Sequence, residues 1–159
     1  MKGDKRVLGL LNEALKNELT AVNQYWLHYR LLDNLGVKKL AEFERHESID
    51  EMKHADALAE RILFLDGLPN FQALGRLRIG EKVEEILRAD LELELEAVDQ
   101  LKGAIAHCEK VRDFTSRELF AKILTNEEDH VDHLEQQFEL IAAMGLPNYI
   151  QLQSEPAEE

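Results

Sequence analysis

Two short runs, "EMKH" at 51–54 and "EEDH" at 127–130, each place a glutamate three residues ahead of a histidine. At that spacing both side chains leave one face of a helix about a turn apart, so a carboxylate and an imidazole can meet the same metal ion. One such pair is commonplace in a chain with 32 acidic residues and six histidines. Two at a shared offset are not. Sliding the chain on itself by the 76 residues between Glu51 and Glu127 also carries His54 onto His130 and Glu18 onto Glu94. Val7, Leu10, Leu11, Leu15 and Leu19 fall on Val83, Ile86, Leu87, Leu91 and Leu95. Any two amphipathic helices in phase match at such apolar positions, so the polar matches carry the information.

All six polar residues fall on apolar stripes. Glu18 shares its stripe with Leu11, Val22 and Tyr25, and Glu94 with Leu87, Ala97 and Leu101. Glu51 and His54 precede Leu58, while Glu127 and His130 lie among Ile123, Val131 and Leu134. Four inward carboxylates with no basic residue on the same stripes are prohibitive unless they neutralise or meet cations. Two divalent ions balance them, and neutral imidazoles complete the coordination. One Glu from each of two helices and a Glu-x-x-His from each of two others is the ligand pattern of di-iron and di-manganese carboxylate bundles. The donor types suit Fe, Mn, Co or Zn. A carboxylate-rich pair with open positions suits O2 binding between two redox-active ions.

Four long helices must hold these groups. Apolar residues at 7, 8, 11, 15, 19, 22 and 26 predict the first, from about Asp4, its N-cap, to Asn34, with Gly36 as its stop. A second is predicted over about 38–66, ended by "DGLPN"; a third over 82–111; a fourth over 115–144, stopped by Gly145 and Pro147. Short junctions make helices one and two antiparallel, and three and four likewise. About fifteen residues between two and three can travel the bundle's length. The predicted fold is an all-α four-helix bundle with one long crossover, and "NYIQLQ" after Pro147 forms a short fifth helix. Residues 1–153 are expected to make one domain, and 154–159, "SEPAEE", a disordered tail.

The chain's 159 residues suit one domain. A net charge of −13 argues against nucleic acid and anionic membranes as partners. A single cysteine, Cys108, excludes a disulfide framework and any CxxC metal ribbon. With no secretory signal and no run of about 18 apolar residues, a soluble cytoplasmic protein is expected.

The stretches "MKGD", "NQYWLHYR", "HESIDEMKHAD", "RILFLDGLPN", "LRIGE" and "EEDHVDHLE" resemble the bacterioferritins from residue 1 to about 153. The resemblance implies a ferroxidase centre with two Fe ions per subunit. In it Glu18 and Glu94 are terminal carboxylates, Glu51 and Glu127 bridging carboxylates, and His54 and His130 the imidazole ligands. Tyr25 resembles the family's tyrosine beside the irons. The implied reaction is oxidation of Fe2+ to Fe3+ by O2 or hydrogen peroxide, with mineral stored in a 24-subunit homo-oligomeric shell built of two-fold dimers. A ferredoxin partner for iron release is implied as well. Asn34, Asp66, Asp132 and Glu139 resemble pore-lining positions, and His46 with Asp50 an iron site on the cavity wall.

Met52 follows Glu51 and is turned about 100° from the metal stripe, toward a neighbour. In bacterioferritins this methionine and its two-fold mate supply both axial sulfurs of one b-type haem per subunit pair. Leu19, Asn23, Trp26 and Ile49 would then wall the haem pocket. Two thioethers favour ferrous haem and leave no open position, which suits electron transfer. The alternative function is a di-metal peroxide-reducing or O2-activating enzyme on the same bundle. Iron content per subunit and particle size separate the two, because only storage gives a large, iron-filled particle.

Overall fold

The computed structural model describes residues 1–155 and contains five helices: α1 Lys5–Asn34, α2 Lys38–Phe64, α3 Val83–Val111, α4 Phe114–Met144 and α5 Leu146–Gln153. Among the described residues there is no strand, and no helix is long and apolar enough to cross a membrane. Side chains cap the starts of α1 and α4. Asp4 accepts from the Val7 amide at 2.9 Å, and Asp113 accepts from the Ser116 amide at 3.0 Å, each satisfying an amide that has no partner within its helix. Gly36 (φ 85°) follows α1 in the left-handed region, as expected of a stop.

Besides one-residue shifts at the starts of α3 and α4, three boundaries differ from the sequence expectation. α2 ends at Phe64 rather than Asp66, because Asp66 itself takes a left-handed φ of 61°. A short polar side chain tolerates that conformation. α5 starts at Leu146, so Pro147 sits inside its first turn, where no helical N–H bond is lost. Ser154 continues into a turn, its hydroxyl donating to Ile150 O at 2.6 Å. Residues 156–159 of the expected tail lie outside the described residues.

Contacts at the helix ends define the topology. The Gly3 amide donates to Leu65 O at 3.1 Å, setting the start of α1 beside the end of α2. Asp4 meets His107 at 3.2 Å, so α1 also opposes α3. Arg61 meets Asp113 at 3.0 Å, joining the end of α2 to the start of α4. Helices α2 and α3 therefore run parallel, as the long crossover predicts. That crossover lies along α1. The amides of Asn70, Gly75, Arg78 and Gly80 donate to Asn12 Oδ1, Thr20 Oγ1, Gln24 Oε1 and His28 Nε2 at 2.8–3.0 Å. Side chains of α1 thus satisfy backbone groups that an irregular segment would otherwise leave unpaired.

Two large apolar clusters make up most of the core, with a small third one of Ala21, Tyr25 and Leu93 between them. At one end Val7, Leu11, Leu15, Leu58, Ile62, Ala104 and Phe120 form an apolar cluster. At the other end Leu32, Leu40, Ile86, Leu87, Leu134 and Tyr149 form a second. A polar layer at mid-height separates them, and the six repeat-matched residues belong to it. Gly80 closes the layer at the foot of α3: a Cβ there would meet the backbone of Glu85 and Ile86. Gly80→Ala is expected to destabilise the subunit by about 1–3 kcal/mol, the range for overpacking, as read by chemical denaturation.

Candidate metal centre

Each of the four helices brings its part of the set to one point. Glu18, Glu51, Glu94 and Glu127 are 1–2% exposed, and His54 and His130 are 9% and 8% exposed. The atoms sort into two overlapping groups, each within 4.8 Å: Glu18, Glu51, His54 and Glu127; and Glu51, Glu94, Glu127 and His130. Glu51 and Glu127 belong to both. His54 Nδ1 lies 3.6 Å from Glu51 Oε2 and 3.1 Å from Glu127 Oε1. His130 Nδ1 lies 3.1 Å from Glu51 Oε1 and 3.4 Å from Glu127 Oε2. Each shared carboxylate therefore turns one oxygen to each histidine. Glu18 stands 3.5 Å from His54, and Glu94 stands 3.5 Å from His130.

One nitrogen or oxygen on each of the six is buried without a hydrogen-bond partner: Glu18 Oε2, Glu51 Oε1, His54 Nδ1, Glu94 Oε2, Glu127 Oε1 and His130 Nδ1. Buried polar atoms are almost always paired. Six orphans converging on one point fit a pair of divalent cations. The electrostatics agree. Burial pushes the Glu94 carboxyl up, Glu127 adds to the rise, and His130 opposes it. Burial disfavours the His54 cation, yet Glu127 and Glu51 outweigh it and hold the ring at about 9. The same competition raises His130, with Glu127, Glu47, Glu51 and Glu94 all favouring the charged ring. With no cation bound, protons do the balancing.

Tyr25 is buried and donates its hydroxyl to Glu94 Oε1 at 2.5 Å. Burial first, and the charge of Glu94 second, keep the phenol well above its ordinary range, so it remains a donor. Glu47, not singled out by the sequence, lies with Oε2 2.6 Å from His130 Nε2. His54 Nε2 faces Asn126 Nδ2 at 3.2 Å.

Behind the centre is a second buried cluster that the sequence reading missed: His28, Glu44 and Asp90, all 0% exposed. Both nitrogens of its histidine are already engaged, although Glu44 Oε1, Glu44 Oε2 and Asp90 Oδ2 are buried without a hydrogen-bond partner. Gly80 N donates to His28 Nε2, so that nitrogen carries a lone pair and the proton is on Nδ1, which donates to Asp90 Oδ1 at 2.8 Å. Gln24 Nε2 donates to the same oxygen at 3.0 Å. Burial, together with the charge of Asp90 and a hydrogen bond to it, raises Glu44 well above the carboxylate range. A proton on Glu44 leaves one negative charge on the pair, and His28 and Gln24 donate to it at Asp90 Oδ1. The signal was present in the sequence, since Glu44, Glu47, Glu51 and His54 are spaced 3, 4 and 3 along one stripe. None of Glu44, Glu47, His28 and Asp90 has a polar mate at the repeat offset, where Phe120, Ile123, Ala104 and Ala14 stand.

The remaining sequence candidates lie apart. Met52 and Trp26 are exposed, at 42% and 43%. Ser48 Oγ donates to Val22 O at 2.8 Å, and Arg45 lies over the Trp26 ring, so Met52 continues the outer α1/α2 face toward Leu19, with Asn23 and Ile49 nearby in register. His46 turns to Glu42 at 3.3 Å with its side chain 66% exposed. Asp50 groups with Glu47 and His130 rather than with His46. Of the pore candidates, Asn34, Asp132 and Glu139 are exposed, and Asp66 pairs with the N-terminal amine at 3.3 Å.

A bundle with this crossover and this layer of carboxylates is ferritin-like, and a model of the ferritin-like domain matches residues 8–144. A bacterioferritin of Brucella melitensis is 50% identical over 159 residues, covering 100% of this chain and 99% of its own. One from Mycolicibacterium paratuberculosis is 52% identical over 149 residues, 94% of each chain. The bacterioferritin BfrA of Mycobacterium tuberculosis is 50% identical over 145 residues, 91% of each. The chain belongs to the bacterioferritin family, as its sequence motifs implied.

The neutral Glu44 yields a pH test. A carboxyl raised on folding contributes stability below its unfolded pKa, near 4.5, and loses it as pH rises toward the folded value. Glu44→Gln mimics the protonated form at every pH. In metal-free protein, the stability of this variant relative to wild type should climb from pH 5 to pH 9 in denaturant titrations. A difference that is flat with pH would mean that Glu44 is already ionised.

Proposed function

We propose that this chain stores and detoxifies iron, oxidising Fe2+ to Fe3+ with O2 or hydrogen peroxide at the centre between its four helices. The observation that carries this reading is the convergence of six buried, unpartnered ligand atoms from Glu18, Glu51, His54, Glu94, Glu127 and His130. Membership of the bacterioferritin family supports iron as the metal.

The chain's residues account for the chemistry as follows. Glu51 and Glu127, each turning one oxygen to each side, hold two substrate Fe2+ ions about 3.5–4 Å apart. Each ion gives up one electron, so one O2 takes two electrons and two protons and leaves as hydrogen peroxide. Glu18 and Glu94 close the outer sides, and carboxylates that alternate between one- and two-oxygen binding follow the rise in charge from Fe2+ to Fe3+. Ligands must be unprotonated to bind, so protons held at His54 and His130 in the metal-free centre depart as the ions enter. Tyr25 keeps Glu94 oriented through its hydroxyl.

Around this centre the reading places a 24-subunit shell of two-fold dimers, a cytoplasmic location and a ferredoxin partner for release, all carried over from the family. An exposed thioether at Met52, on the same outer α1/α2 face as the exposed Trp26, suits a haem shared across a two-fold axis, where one residue ligates from both sides. Such a haem would supply an electron path for reducing stored iron.

His130→Ala should slow the initial rapid oxidation of Fe2+ in stopped-flow absorbance while the particle remains assembled in size-exclusion chromatography. Unchanged oxidation kinetics would remove the six-residue assignment. Met52→Leu keeps volume but removes sulfur. Purified variant shells are expected to lose the haem absorbance and to oxidise Fe2+ at the wild-type rate, and an unaltered haem spectrum would make Met52 a plain interface side chain.

A further inference from the structure

The two metal positions share equivalent ligands but not equivalent surroundings. The offset that carries Glu51 onto Glu127 and His54 onto His130 carries Glu47 onto Ile123, Asp50 onto Asn126 and Tyr25 onto Leu101. Behind His130, on the side away from the centre, stand two carboxylates. Glu47 Oε2 is 2.6 Å from Nε2, and Asp50 has an oxygen in the same cluster. Behind His54 stands a neutral amide, Asn126, with its Nδ2 3.2 Å from Nε2. Glu47's mate there is Ile123, 2% exposed and part of the apolar core. The terminal carboxylates divide in the same way. Glu94 receives the Tyr25 hydroxyl at 2.5 Å, whereas Leu101 holds the matching place near Glu18 and has no proton to give.

Each difference acts in one direction. A carboxylate that accepts the outer N–H of a ligating imidazole fixes its tautomer and makes it a stronger donor. Glu47 stands at hydrogen-bond distance but off the line of the ring N–H bond, so a small rotation of the ring completes the contact. Glu47, which is buried, adds negative charge next to the His130 side where charge is weakly screened, whereas Asp50 is half-exposed and lies 3.9 Å from Lys53, so its share is smaller. The Tyr25 hydrogen bond holds Glu94 in place before an ion arrives, so less ordering is needed on binding.

We propose that the position between His130 and Glu94 fills first with a divalent cation, that the position between His54 and Glu18 fills second, and that Glu47 is the positioning residue that sets this order. The inference rests on the dinuclear reading above. The pseudo-symmetric centre then loads sequentially, and the second ion, on the side of the exposed Asn126, completes the pair.

The test uses Co2+ in place of Fe2+ and reads occupancy instead of turnover. Crystals of the full-length protein given one Co2+ per subunit are measured at the cobalt edge. The anomalous peak at the His130/Glu94 position should exceed its neighbour several-fold. Glu47→Gln keeps the shape and removes the charge. It should weaken that position about 10–100-fold, the usual effect of losing such a partner, and reverse or equalise the two peaks. Asn126→Asp puts a carboxylate behind His54 and should narrow the wild-type ratio. A matching solution titration should show two steps in the cobalt absorbance of the wild type, with the tighter one lost in Glu47→Gln. Equal peaks in the wild type, or a ratio unmoved by both variants, would overturn the proposed order. Cobalt at neither position would overturn the dinuclear reading itself.

Discussion

Four glutamates at the centre of a helical bundle, with no lysine or arginine among them, impose the constraint to which the rest of the structure responds. Removing one carboxylate from water costs of the order of several kcal/mol even after the protein relaxes. The layer meets that cost in two ways. Where a histidine and a neutral amide can reach, at His28, Gln24 and Asp90, hydrogen bonds and a proton on Glu44 quench the charge. At Glu18, Glu51, Glu94 and Glu127, atoms stay unpartnered and face one another. In the first arrangement the histidine is engaged on both nitrogens, and in the second each histidine leaves Nδ1 unpartnered. The centre draws on all four helices, whereas the second cluster draws on α1, α2 and α3 from neighbouring turns along the bundle.

The scaffold is arranged around that layer. Placing the large apolar clusters at the two ends leaves the middle to the polar layer, with only Ala21, Tyr25 and Leu93 adding apolar burial there. The crossover serves the layer as well as connecting helices. By donating to His28 Nε2, the Gly80 amide decides which ring nitrogen holds the proton, and that choice turns His28 into a donor toward Asp90. A backbone group in an irregular segment thus turns a buried histidine into a hydrogen-bond donor toward a buried carboxylate. The requirement for glycine at position 80 is steric, from the backbone of α3 beneath it.

Most of the fold and the six central residues were legible in the sequence because they repeat. A helical period of apolar residues, stops at glycine and proline, and polar identities recurring at one offset are properties of the chain itself. The second cluster was not legible by that route, since Glu44, Glu47, His28 and Asp90 pair with apolar residues at the offset. Their spacing along each helix did contain the signal, but only packing shows which turns of a stripe meet across the bundle. Helix ends moved by a residue or two for local reasons. Asp66 adopted a left-handed backbone, and Pro147 was accommodated in a first turn, which a proline does not disrupt.

The two hairpins share the centre unequally. The first position takes Glu18, Glu51 and His54 from the α1–α2 hairpin and only Glu127 from the other. The second takes Glu94, Glu127 and His130 from the α3–α4 hairpin and only Glu51 from the first. Each hairpin therefore lends one glutamate to its neighbour's position, and a cation seated in either place ties the two halves together. A chain lengthening on the ribosome completes α2 at Phe64 and by then already carries three of the four groups of one position. The first hairpin alone thus holds three of the four groups of that position, and the second hairpin contributes only Glu127 to it.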